Sequence, residues 1–394
     1  MTPDADEALI YRSATQLAAA ICTKQVSSDE LVRAHLHRIE VVNPRLNAVV
    51  QIADAVLRDA CAADAALASG RIVGPLHGVP FTAKDVCETA GVISAAGLTS
   101  RASHVPEHDA VVVARMKAAG AILLGKTNCP PGGSGGVTDN PVYGRTSNPY
   151  DVDRVPGGSS GGEAAAIAAG ASPLGLGSDS GGSLRVPAHF CGIATLKPTS
   201  GRVPSTGTVN HPGGLRDYRT QIGPMARSVA DLALTFPILA GEDGRDAGVI
   251  PMPFTAHASM PLTGLRLAVY DDDGEAPPTP ETIDAVRAAA RALADGGVII
   301  EQARPACLSD SRPITERYWR WSESSGPELE QLLLDWDRFR SAMLAFIGAY
   351  DGLVCPVEAC PTASRGDDRS AVQLHLALQP DGLAMRRRQG GHLA

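Results

Sequence analysis

Apolar and polar positions alternate at helical intervals through the first seventy residues. In "SSDELVRAHLHRIEVVN" the apolar residues recur every three to four positions, and Ser27 and Glu30 stand at capping-box spacing, which predicts a helix. "ADAVLRDACAADAALASG" predicts a second helix, ended by Gly70. "DAVVVARMKAAGAILLGKTN" then reads as helix, glycine stop and a buried strand at "AILLG". Residues 128–162 are dominated by Gly, Pro, Ser and Asn and read as loop, running into the strong helix former "GGEAAAIAAG" with Glu163 at its positive dipole end. Further on, "GLRLAVYDDD" and "VIIEQ" read as strands around the helix "PETIDAVRAAARALADGG". The long helix "ELEQLLLDWDRFRSAMLAFIGAY" leads into the apolar strand "DGLVCPV". This alternation predicts an α/β layered fold, and no internal repeat or clean linker divides it. The expected organisation is a helical section over 1–70 packed on an α/β core over 71–363.

Composition narrows the function classes. Apolar residues make up 44% and charged residues 20% of the chain, the profile of a globular protein rather than a disordered one. A net charge of -8 gives no electrostatic case for nucleic acid, and the lone basic cluster, "MRRRQ", reads as a solvated tail. No window approaches a membrane span and the acidic N-terminus lacks signal-peptide features, so a cytoplasmic protein with no membrane partner is expected. The eight cysteines show no CxxC or His-Cys spacing, which argues against zinc and against a disulfide framework; Cys129 and Cys191 read as small buried hydrophobes. No metal and no cofactor are expected.

Two glycine-serine stretches stand close together: "PGGSSGGEAAAIAAG" (156–170) and "GLGSDSGGSLR" (175–185). A flexible linker would be a long polar tract, whereas these run directly into apolar elements. A phosphate cradle would sit at the helix N-terminus, but Glu163 occupies the place where the Walker pattern needs Lys followed by Ser or Thr. A Ser-His-Asp elbow matches G-x-S-x-G at both 132–136 and 157–161, yet neither match follows a readable strand, and His189 and His211 read as structural or solvent-facing. A fourth reading uses "GVPFTAKD" (78–85), where Lys84 ends an apolar strand-like run. Burial disfavours the ammonium form, and a neutral lysine can serve a serine nucleophile as general base.

Taken in order, "GVPFTAKD", "PGGSSGGEAAAIAAG" and "GLGSDSGGSLRVPAHFCGIATLKPTSGRVP" resemble the amidase signature family over roughly residues 10–360. The resemblance implies a mixed central β-sheet flanked by helices on both faces and a Ser–cis-Ser–Lys triad. Lys84 matches the family's lysine, Ser159 the bridging serine with its cis peptide bond, and Ser183, 24 residues on, the nucleophile. The N–H groups of Ser180, Gly181, Gly182 and Ser183 match an oxyanion hole. Ser160, Asp179 and Arg185 are candidates for holding this glycine-rich loop in shape, ordinary capping or a salt bridge being the alternative reading of each.

The implied activity is hydrolysis of C–N bonds in small-molecule amides or carbamates (urethanes), toward the aryl-amidase and urethanase side, with some esters, by a monomer or homodimer. The alternatives are an amidotransferase A-type subunit hydrolysing glutamine, and an inactive phosphate-binding module. The Gly- and Pro-rich segments around 128–150 and 202–225 are expected to border an open or mobile entrance. Residues 364–394 depart from the family pattern and lack its S/N-x-T-G-x-P motif; a shortened variant or a reading-frame slip is expected there.

Overall fold

A computed structural model describes residues 8–209, 219–252, 261–320 and 324–363. The expected atypical tail, 364–394, and His211 lie outside the described residues, as does part of the segment 202–225. The described residues group into two compact units, one within Met1–Phe254 together with Thr362 and Ala363, the other within Thr255–Pro361.

The first unit is built on a six-stranded mixed sheet of order β1-β3-β2-β4-β6-β5. Its strands are β1 (Val49–Ile52), β2 (Pro80–Lys84), β3 (Ile122–Thr127), β4 (Leu174–Asp179), β5 (Ala194–Thr195) and β6 (Gln221–Ala226). β2 pairs in parallel with β3 and with β4; the remaining pairings are antiparallel. The helices are α1 (Ala14–Cys22), α2 (Ser28–Leu46), α3 (Val56–Ala68), α4 (Val111–Ala118), α5 (Gly161–Ala168), α6 (Arg185–Cys191) and α7 (Val229–Leu239). The capping box expected at α2 is formed: Ser27 Oγ accepts from the Glu30 N–H, and the Glu30 carboxylate accepts from the Ser27 N–H at 2.9 Å. Gly70 closes α3 with φ +80°, a conformation that favours glycine.

Strand alternation separates the two faces of this sheet. Phe81 and Ala83 of β2, Leu174 and Leu176 of β4, and Ile222 and Ala226 of β6 join one apolar cluster with Leu17, Ile21, Leu31, Val112 and Met116 from α1, α2 and α4. The intervening residues belong to the face covered by α5, where Met225 packs with Ala164 and Ile167.

Two elements escaped the pattern. β1 lies inside the stretch expected to be helical, where "VVQI" is too short to show a period. The second glycine-serine stretch is not loop throughout, because its first part is the fully buried strand β4. Its glycines conceal it, and packing explains them. A side chain at Gly175 would overlap the Glu163 carboxyl group, and one at Gly177 would meet Leu184 Cδ2 at 2.6 Å and Met225 Sδ at 2.8 Å.

In the second unit, β7 (Arg266–Val269) pairs in parallel with β8 (Ile299–Gln302) and β9 (Gly352–Val354). Helix α8 (Pro280–Asp295) packs Val286 and Ala290 on Val269. Helices α9 (Ser311–Trp319) and α10 (Gly326–Ile347) share a second core. α10 buries Leu332, Trp336, Phe339, Met343 and Ile347, one stripe at helical spacing.

Candidate active site

Lys84 is the last residue of β2 and is completely buried. Its Nζ lies 2.6 Å from Ser159 Oγ and 2.9 Å from Ser178 Oγ. Among the described residues no carboxylate forms an ion pair with it. Burial, opposed by Cys129, Cys87, Asp179 and Glu163, brings its pKa down to about 8.

Ser159 is 1% exposed and follows a cis Gly158–Ser159 peptide bond. There is no room for a side chain at Gly158: a Cβ would fall 2.6 Å from the Gly135 carbonyl oxygen and 2.7 Å from the Gly136 carbonyl carbon. Ser160 Oγ bonds both the N–H and the C=O of Ser178, each at 3.2 Å. The N–H of Ser160 in turn donates to the Ser183 carbonyl at 3.2 Å, which ties the loop bearing Ser159 to the loop bearing Ser183. Ser183 is half-buried.

The turn from β4 into α6 wraps around Asp179. This carboxylate accepts from the N–H of Gly182 at 2.7 Å and of Leu184 at 3.1 Å, and pairs with Arg185 at two points, both 2.9 Å. Burial alone would raise its pKa, but the Arg185 guanidinium and these donors hold it well below the usual carboxylate range. Of the four N–H groups expected to line an oxyanion hole, that of Gly182 thus donates to Asp179. The N–H groups of Ser180, Gly181 and Ser183 have no acceptor among the described residues.

Sequence reasoning missed three neighbours of this site. Ser178 is Lys84's second partner. Glu163, in the first turn of α5, accepts from Thr82 Oγ1 and, at 2.7 Å, from Thr127 Oγ1. Lys126 is fully buried and donates to the Cys87 carbonyl and, at 3.0 Å, to Thr89 Oγ1. For Ser178 and Lys126 the one available signal was a polar residue inside a buried strand, and for Glu163 a lone carboxylate in an apolar helix. Cys129 and Cys191 are fully buried, and burial pushes the Cys129 thiol up to about 12, as suits an unreactive thiol. Among the described residues no group of three or more His, Cys, Asp or Glu is placed to hold a metal ion, and no helix is long and apolar enough to cross a membrane.

The amidase family model matches residues 30–328. The A subunit of glutamyl-tRNA(Gln) amidotransferase from Acidothermus cellulolyticus is 44% identical over 277 residues, covering 68% of this chain and 54% of that one. An acylamidase of Rhodococcus erythropolis is 37% identical over 340 residues, 85% of this chain and 69% of that one. The solved structure of a bacterial aryl acylamidase superposes with a TM-score of 0.81 at 26% identity, covering 93% of this chain and 86% of that one. The chain spans a little over half the length of the curated amidotransferase subunits it matches. With the three sequence motifs, a mixed sheet of the same fold and a family match over most of its length, the chain belongs to the amidase signature family.

Proposed function

We propose that this chain hydrolyses C–N bonds of amides by acyl transfer through Ser183. The observation that carries the reading is the 2.6 Å approach of Lys84 Nζ to Ser159 Oγ in a buried setting where the amine has hydroxyl partners and no ion-pair partner among the described residues. In this reading neutral Lys84 takes the proton of Ser159 Oγ as Ser159 takes that of Ser183 Oγ. Ser183 Oγ attacks the substrate carbonyl carbon, and the oxyanion is met by the N–H groups of Ser180, Gly181 and Ser183. The proton returns through Ser159 to the leaving nitrogen as the C–N bond breaks, and water releases the acyl group from Ser183. Asp179, Arg185 and Ser160 hold the two loops in register.

The likeness to an acylamidase and an aryl acylamidase supports anilide-type amides as substrates, with carbamates included because the same attack on carbon serves them. The 44% identity to an amidotransferase component supports a second reading, hydrolysis of the glutamine amide. A fluorophosphonate probe with mass mapping, run beside anilides, primary amides, carbamates and glutamine, tests both. Label on Ser183 and loss of anilide turnover in Ser183→Ala are expected; label elsewhere, or full activity in Ser183→Ala, overturns the first reading. Turnover of glutamine alone replaces it with the second.

A further inference from the structure

We propose that Glu163 is a positioning residue for the Lys84–Ser159 pair: its carboxyl group fastens the helix that follows Ser159 to the two strands that place Lys84. The inference rests on the hydrolase reading above.

Glu163 is fully buried in the first turn of α5, four residues after Ser159. One carboxylate oxygen accepts from Thr82 Oγ1 on β2, the other from Thr127 Oγ1 on β3. Thr82 precedes Lys84 by two residues, so their side chains leave β2 on the same face. Thr127 is the residue paired with Lys84 across the β2–β3 ladder. The bare backbone of Gly175 on β4 admits the carboxyl group, since a methyl there would overlap it. Three strands and the helix that follows Ser159 thus meet at one side chain.

A plain helix cap does not require this arrangement. The N–H of Gly161, at the start of α5, is satisfied by Thr138 Oγ1 at 3.1 Å, so Glu163 is not needed for that donor. The ionisable groups around Glu163 are Lys84 on β2, Lys126 on β3, Asp179 at the end of β4, Cys87 and Cys129 just beyond β2 and β3, and Arg185 and Cys191 on α6. His35 of α2 and Arg227 reach the far end of α5 and its following turn. β1 and β6 present no ionisable side chain. Burial pushes the Glu163 pKa up to about 7, with the threonine hydroxyls, Lys126 and Lys84 opposing. Its negative charge in turn favours the protonated form of Lys84.

The test compares Glu163→Gln, Glu163→Ala, Thr127→Val and Thr127→Ser with the parent in folding, kcat, KM and the pH dependence of fluorophosphonate labelling at Ser183. Glu163→Gln keeps the shape and removes the charge, so the acidic limb is expected to move to lower pH. Glu163→Ala and Thr127→Val loosen the tie, so kcat is expected to fall by about 10²-fold with KM little changed, while Thr127→Ser restores it. Parent-like kcat and an unmoved limb in folded Glu163→Gln and Thr127→Val overturn the inference. Loss of folding in both also overturns it, because the carboxyl group would then be holding the fold rather than the relay. If Ser183 of the parent is labelled while the Glu163 variants label at the parent rate and pH, the inference alone fails; an unlabelled Ser183 in the parent removes the hydrolase reading beneath it.

Discussion

Ser160 Oγ closes the edge of β4 at Ser178, bonding that residue's N–H and C=O at 3.2 Å each. The β2–β4 ladder has already ended, at the Ala83–Leu176 pair, so this hydroxyl stands in for a missing strand beside Lys84's second partner. Ser160→Ala leaves both backbone groups buried and unpaired. A loss of about 1–3 kcal/mol in unfolding free energy is expected, together with slower Ser183 labelling, read from denaturant melts and labelling kinetics.

Rate should climb with pH. Because burial brings Lys84 down to about 8, its neutral fraction grows about tenfold per pH unit below that value and levels off above it. The kcat/KM for an uncharged anilide is therefore expected to rise from pH 6 to 8 and flatten beyond. Lys84→Ala is expected to lower acylation by about 10²–10⁴-fold and to abolish that slope. A flat profile in the parent protein would remove lysine from the role of base.

Arg185 meets the completely buried Asp179 carboxylate at two points. Arg185→Ala leaves that carboxylate charged and without its guanidinium, at an expected cost of about 3–5 kcal/mol, seen as a lower Tm. Arg185→Lys should recover little, since a single ammonium cannot reproduce the two-point contact. Recovery of parent stability in the lysine variant would show that charge alone suffices.

Two glycines should respond in opposite directions to alanine. At Gly162 a Cβ would lie 2.5 Å from both the N and the O of Asn128 and 2.9 Å from the Ala48 carbonyl oxygen, all backbone atoms that cannot swing aside. Gly162→Ala is expected to cost about 1–3 kcal/mol or more and to depress activity. Gly326, at the start of α10, has nothing within 4 Å of its would-be Cβ, and Gly326→Ala is expected to add about 0.4–1 kcal/mol. Calorimetry on the two variants checks the contrast.

The helices were legible because their signals are local. The Ser27–Glu30 cap, the glycine after α3 and the stripe along α10 are each written within a few turns of chain. Lys84, Ser159 and Ser183 were singled out through motifs that keep their order and spacing. What the residues alone did not reveal depends on contacts between distant parts of the chain. Glu163 meets Thr82 across 81 positions and Thr127 across 36, and neither threonine announces a carboxylate partner. β4 looked like loop because its glycines answer to the Glu163 carboxyl group and to Leu184 and Met225, not to any preference of the strand itself. Likewise the four N–H groups of the Ser180–Ser183 turn are alike in sequence, and only the folded turn around Asp179 commits that of Gly182 and leaves the other three without an acceptor among the described residues. Local periodicity thus determined most of the elements and motif order singled out Lys84, Ser159 and Ser183, while tertiary packing decided which polar groups are already engaged and which have no acceptor among the described residues.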